Sequence, residues 1–183
     1  MHPALLYVPG DRLSLPELIA ARLDGHLVEV GAAYMPADTV EEADARAAGI
    51  AAGIPPRMGV CGPTAAWIHG AGLDAPPVHH VRRLLEGRFR PGTDRSVIVH
   101  EPWLGPDEAT QIGGLVVASP TYTGLELALG ASTHSTYAAW LHRLLETMPE
   151  IVDTLRETVR DLPRRPGRTQ ARRLLEEPPV RRL

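Results

Sequence analysis

Apolar residues recur along this chain in short runs whose period changes repeatedly, and those changes mark out its elements. In residues 13–23, Leu15, Leu18, Ile19 and Leu23 fall on one helical face. Ser14 is the expected N-cap, Pro16 sits in the first turn and Glu17 lies three residues beyond the cap. Residues 25–36 read as two short extended runs about Gly31. The alanine-rich residues 39–52, acidic in their first turn, read as a helix that Ile54-Pro55-Pro56 stops. A strand is expected over 58–62, then a helix opened by Pro63 and Thr64 whose Ala65 and Ala66 permit close approach to a sheet while Trp67 fills the space beside them. Residues 78–83 read as a strand that turns back around Gly92-Thr93-Asp94, returning as a hairpin over 96–100. Residues 137–145 and 151–162 read as helices, the second with Leu155 and Val159 on one face.

Composition sets the scale. A chain of 183 residues, 44% hydrophobic, can bury one sizeable core or two small ones. No run approaches the eighteen apolar residues needed to cross a bilayer, and the N-terminus has neither a basic segment nor a long apolar one, so a cytoplasmic location is expected. All 19 basic residues are arginine. With alanine, glycine and proline abundant, this suits a GC-rich genome, and arginine abundance alone is no evidence for DNA binding.

Charge is unevenly spread over a net of −3. Residues 1–60 hold four Arg against eight Asp/Glu, residues 61–100 five against three, residues 101–161 three against nine, and residues 162–183 seven against two. The C-terminal segment is therefore the basic part, able to neutralise phosphates or to remain a solvated tail. The single cysteine, Cys61, excludes a disulfide framework and is expected to be a small buried hydrophobe. His69 is placed to cap the last carbonyls of its helix, while His79, His80 and His100 read as neutral strand histidines. Their spacing lacks a zinc-ligand pattern, and no nucleophile with a positioned base, P-loop or G-x-G-x-x-G is present. No catalytic residue, metal or cofactor is expected.

Three stretches carry a family resemblance: Thr64-Ala65-Ala66-Trp67-Ile68-His69-Gly70, Val97-Ile98-Val99-His100, and Gly113-Gly114-Leu115-Val116-Val117-Ala118-Ser119-Pro120. Together they resemble the AbiEi family of bacterial antitoxins and transcriptional repressors, in which a degenerate winged helix-turn-helix precedes an α/β region. By that resemblance residues 25–34 correspond to the wing, 105–108 to a turn before a short strand, 113–114 to a hairpin turn, 115–118 to a strand, and Ser119-Pro120 to the start of a helix over 121–129. The family's Arg and Asp in its R-T-L-x-D-L-A motif are Tyr122 and Glu126 here, so a role that depends on that pair is not carried over. Residues 168–175 resemble a basic helix that in some members leads into a Vsr-like endonuclease domain, before which this chain stops.

The resulting fold expectation is α+β: an abbreviated winged-helix-like N-terminal region with its connector helix (1–56), packed on a mixed α/β domain with short antiparallel strands and C-terminal helices (57–162), then a basic tail (163–183). The resemblance implies an antitoxin that binds operator DNA, represses its own operon and opposes a nucleotidyltransferase toxin. The expected DNA contacts are Arg82, Arg83, Arg88 and Arg90 around the 83–96 hairpin and Arg164, Arg165, Arg168, Arg172 and Arg173 in the tail. Only one clear helix precedes the wing, and Asp24, His26, Glu29 and Ala32 stand where arginines are usual. Two alternatives follow: a homodimer in which the partner's tail supplies phosphate contacts, or a non-catalytic protein-interaction domain that has lost DNA binding.

Overall fold

The computed structural model describes residues 5–85 and 97–176. Its fold is α+β. Ser14 opens helix α1 (Leu15–Leu23) as expected, its backbone N–H and hydroxyl both donating to the Glu17 carboxylate at 2.8 and 2.6 Å. Strands β1 (Leu27–Val30) and β2 (Ala33–Pro36) form the antiparallel hairpin about Gly31. Of the apolar stripe on α1 only Leu18 is buried, joining Leu27 and Tyr34 in a small cluster. Leu15, Ile19 and Leu23 face solvent, Leu23 being 76% exposed.

Helix α2 (Ala43–Ile50) is shorter than its alanine content suggests, because the chain is still extended at Glu42 and Thr39 closes a turn onto the Pro36 carbonyl. Gly49 lets α2 press against the hairpin: a Cβ there would lie 2.2 Å from the Val30 carbonyl oxygen. This close approach joins hairpin, α2 and sheet into one core that includes Val30, Met35, Ile50, Val60 and Val117.

The remaining strands are β3 (Met58–Val60), β4 (His79–Arg83), β5 (Val97–His100), β6 (Ala109–Ile112) and β7 (Leu115–Ala118), in the order β5-β4-β3-β7-β6. Pairing is mixed. β3 runs antiparallel to β4 and parallel to β7, and β6 and β7 form the antiparallel hairpin expected at Gly113-Gly114. The hairpin expected between β4 and β5 is overturned: His79 pairs with Val97 and Arg82 with His100 in parallel register. Parallel neighbours need a crossover, because a tight turn reverses the chain direction. The expected turn at Gly92-Thr93-Asp94 lies outside the described residues.

Helix α3 (Gly62–Ile68) is buried along its whole length. Trp67 donates its indole N–H to the Leu73 carbonyl at 3.1 Å. Beside it lies the buried Arg46, whose Nη1 donates to the carbonyls of Trp67 (2.6 Å) and Gly72 (3.1 Å) and whose Nε pairs with Glu41 at 2.6 Å. Arg46, and not His69, therefore satisfies carbonyls at the end of α3. The His69 Nε2–H instead reaches across to the Ala118 carbonyl at 2.7 Å, tying α3 to the end of β7.

Ser119 caps α4 (Pro120–Gly130) by accepting the Tyr122 N–H at 3.3 Å, with Pro120 in the first turn. Ser119→Ala is expected to cost about 1 kcal/mol, read as a lower urea midpoint with an unchanged slope. Helices α5 (Tyr137–Thr147) and α6 (Val152–Asp161) follow, and Leu155 and Val159 are buried as their spacing implies. The segment expected as a basic tail contains a further helix, α7 (Arg168–Glu176), whose Ala171, Leu174 and Leu175 enter a second core with Leu127, Leu141 and Leu155. The i, i+3, i+4 spacing of those three apolar residues is the signal in the sequence, masked by the arginines between them.

Candidate functional site

On β4 the side chains of His80 and Arg82 share one face, and the parallel register places His100 of β5 opposite Arg82. Helix α4 lies over that face, presenting Tyr122, Leu125, Glu126 and Leu129 at helical spacing, and α5 begins beside it at Tyr137. Together these elements enclose an open cavity of about 500 Å³ whose lining also includes Glu101, Glu108, Thr133, His134 and Arg165. No sequence motif announces it, because its residues come from five separate segments.

At its base sits a buried ion pair. Arg82 donates through Nε and Nη2 to Glu126 Oε1 at 3.1 and 2.7 Å, and through Nη1 to the Pro102 carbonyl at 2.8 Å. Glu126 Oε2 accepts the Gly62 N–H at 2.8 Å, so the carboxylate also ties α4 to the first turn of α3. Burial penalises the guanidinium's charge, and Glu126 outweighs the penalty, holding the Arg82 pKa above its usual value. The Tyr122 ring lies 5.9 Å from Arg82. Glu126 has thus found its cation on β4.

Above the pair, His80 Nδ1 stands 2.8 Å from His100 Nε2 and 3.2 Å from the Tyr137 hydroxyl. The two imidazoles stack with centroids 5.0 Å apart, and His134 stacks on Tyr137 at 4.5 Å. Burial, reinforced by His100, His134 and His79, pushes the His80 pKa down to about 4. Burial likewise lowers His100 and raises Tyr137. His80, His100 and Tyr137 are therefore held uncharged at neutral pH, and His80 Nδ1 is contested by two neighbours. Cys61, behind Glu126, is fully buried, and burial raises its thiol pKa well above the usual range. That removes it from nucleophilic chemistry. Among the described residues no group of three or more His, Cys, Asp or Glu is arranged to hold a metal ion.

The arginines expected to contact DNA separate into distinct roles. Arg82 is buried in its ion pair and cannot reach a phosphate. Arg83 points elsewhere, its Nη2 donating to both Glu101 oxygens at 2.9 and 2.8 Å. Arg88 and Arg90 lie outside the described residues. Arg168 caps α6, with Nε to the Val159 carbonyl at 3.1 Å and Nη2 to that of Arg160 at 2.6 Å. Arg172 is exposed and 3.9 Å from Glu176. Arg164, Arg165 and Arg173 are exposed and have no side-chain partner among the described residues, and the same holds for Arg160, which lies outside the expected set. Apart from Arg57, every other described arginine has a carboxylate, carbonyl or aromatic partner.

Among the described residues no helix is long and apolar enough to cross a membrane. Comparison with protein-family models, with curated proteins and with solved structures finds no match to this chain.

Proposed function

We propose that this protein is a non-catalytic, DNA-binding regulator of the AbiEi antitoxin kind, acting as an autorepressor that opposes a nucleotidyltransferase toxin and contacting the DNA backbone through its α6–α7 corner. The observation that carries this reading is the set of unpaired, exposed arginines Arg160, Arg164, Arg165 and Arg173 within one short stretch. An arginine already engaged with a carboxylate must break that pair to bind phosphate, whereas these four need not. The wing supports the same division of labour. Arg22 is spent on Glu29 at 3.3 Å, and the exposed Asp24 and Glu29 repel phosphates.

A mobility shift with the chain's own upstream DNA across a salt series tests this. Arg164→Ala combined with Arg173→Ala is expected to weaken binding and to flatten the log–log salt slope by about 2, one for each phosphate that is no longer neutralised. Arg168 is left intact because it holds α6. Wild-type protein that fails to bind at low salt, or a slope unchanged in the double variant, defeats the proposal.

The second reading is a protein-interaction domain without DNA binding. It is favoured by the apolar stripe of Leu15, Ile19 and Leu23 on α1, which the described residues leave 40–76% exposed.

A further inference from the structure

We infer that the cavity between β4, β5, α4 and α5 is a nucleotide-binding site, taking a heteroaromatic base among Tyr122, His100, His134 and Tyr137 and the attached phosphate at Arg165. The inference goes beyond the DNA-backbone reading and does not depend on it. Size comes first: about 500 Å³ falls in the range of small-ligand pockets.

Charge narrows the class. The one cation at the base is matched by Glu126, and His80 and His100 are held neutral, so the interior carries no surplus charge for an ion to answer. The part of a ligand that lies among these rings must therefore be uncharged and polar, any anionic group staying at the rim. Unused hydrogen-bonding groups converge on the space. The Tyr122 hydroxyl, the His134 ring nitrogens and His100 Nδ1 make no hydrogen bond with any described residue, and all three residues line the cavity. Two of these residues are histidines, whose ring nitrogens donate or accept according to tautomer, which suits the mixed donor and acceptor edge of a base.

The walls are flat. His134 and Tyr137 stack within 24° of parallel, and Tyr122 presents its ring beside the Arg82 guanidinium. Faces of this kind stack on any heteroaromatic ring.

The rim has polarity along α4. At the Tyr122 end stand Glu101 and Glu108, engaged with Arg83 and with the Gly105 N–H at 2.9 Å but still negative. At the Leu129 end Leu162 and the unpaired Arg165 close the cavity. An anionic substituent is repelled from the first end and received at the second, which orients a nucleotide with its phosphate at Arg165. The same chemistry is offered by a free mononucleotide and by an unstacked nucleotide of a single strand.

Isothermal titration of the full chain with 5′-AMP, 5′-GMP, 5′-CMP and 5′-UMP, with adenosine, with inorganic phosphate and with a short single-stranded DNA tests the site. At least one mononucleotide or the single strand is expected to bind, and phosphate alone is not. Arg165→Ala should weaken the nucleotide about tenfold, the worth of one charge-assisted hydrogen bond, while leaving the matching nucleoside unchanged. Tyr122→Phe, which keeps the ring and removes only the hydroxyl, should weaken both at unchanged melting temperature. Binding by mononucleotides identifies a free ligand, and binding by the strand alone identifies a strand. No binding by any nucleotide at millimolar concentration, or binding indifferent to both variants, overturns the inference. Because the DNA test uses Arg164 and Arg173, the two proposals can fail separately.

Discussion

Glu126→Ala is expected to destabilise the protein by about 3–5 kcal/mol, the range for removing one partner of a buried ion pair. The side chain is only 7% exposed, and it serves three donors from two other elements: Arg82 Nε and Nη2 on β4 and the Gly62 N–H of α3. Alanine leaves the guanidinium with the Pro102 carbonyl as its one hydrogen-bond acceptor among the described residues, beside the Tyr122 ring, and strands a backbone N–H in an enclosed space. Glu126→Gln should cost less, since its amide oxygen can still accept from Gly62. Arg82→Met combined with Glu126→Gln should recover stability relative to Glu126→Gln alone, because the unpaired charge is then gone. Urea unfolding of the four proteins measures all of these. A loss below 1 kcal/mol in Glu126→Ala would mean that the pair does not hold β4, α3 and α4 together.

Acid is expected to weaken the fold before most carboxylates titrate. His80 has its pKa lowered from its usual value near 6.5 to about 4, so the unfolded chain takes up the proton more readily than the folded one. Stability from this residue is complete above pH 6.5, falls as the pH drops towards 4, and changes no further below that. The ring is partly reached by solvent, so the loss across the window is about 2 kcal/mol once screening is allowed for. His69, His79 and His100, also shifted down by burial, act in the same direction. Protonated His80 would face His100, His134 and His79, with Glu126 already committed to Arg82. Urea midpoints at pH 7.0, 5.5 and 4.5 should fall in that order, and His80→Asn should flatten the trend. Equal midpoints at pH 7.0 and 4.5 would show that the histidine cluster is as open to protons in the folded state as in the unfolded.

The arginines show how unevenly one residue type can be read. Local clustering alone points nine of them at DNA. Clustering along the chain does not say which guanidinium will meet a carboxylate from elsewhere. Arg82 meets Glu126, 44 residues away, and Arg83 meets Glu101, 18 residues away. Arg168 turns back onto the end of α6. Of the seven among these nine that are described, the three exposed and without a described partner, Arg164, Arg165 and Arg173, lie in the segment richest in positive charge, where the local supply of carboxylates is smallest.

What the chain determined by itself is what depends on neighbours a few residues apart. The Ser14–Glu17 box, the Gly31 and Gly113-Gly114 turns, the Ser119-Pro120 start of α4 and the paired Leu155 and Val159 of α6 all follow from capping, turn chemistry and helical period. The tertiary structure alone decided the parallel pairing of β4 with β5, the burial of α7, the exposure of the α1 stripe and the assembly of His100, Tyr137, Arg82 and Glu126 around one cavity. Each of these depends on partners brought together by folding, and strand direction, the covering of an apolar face and the pairing of a buried charge are properties of such encounters, which local periodicity does not encode.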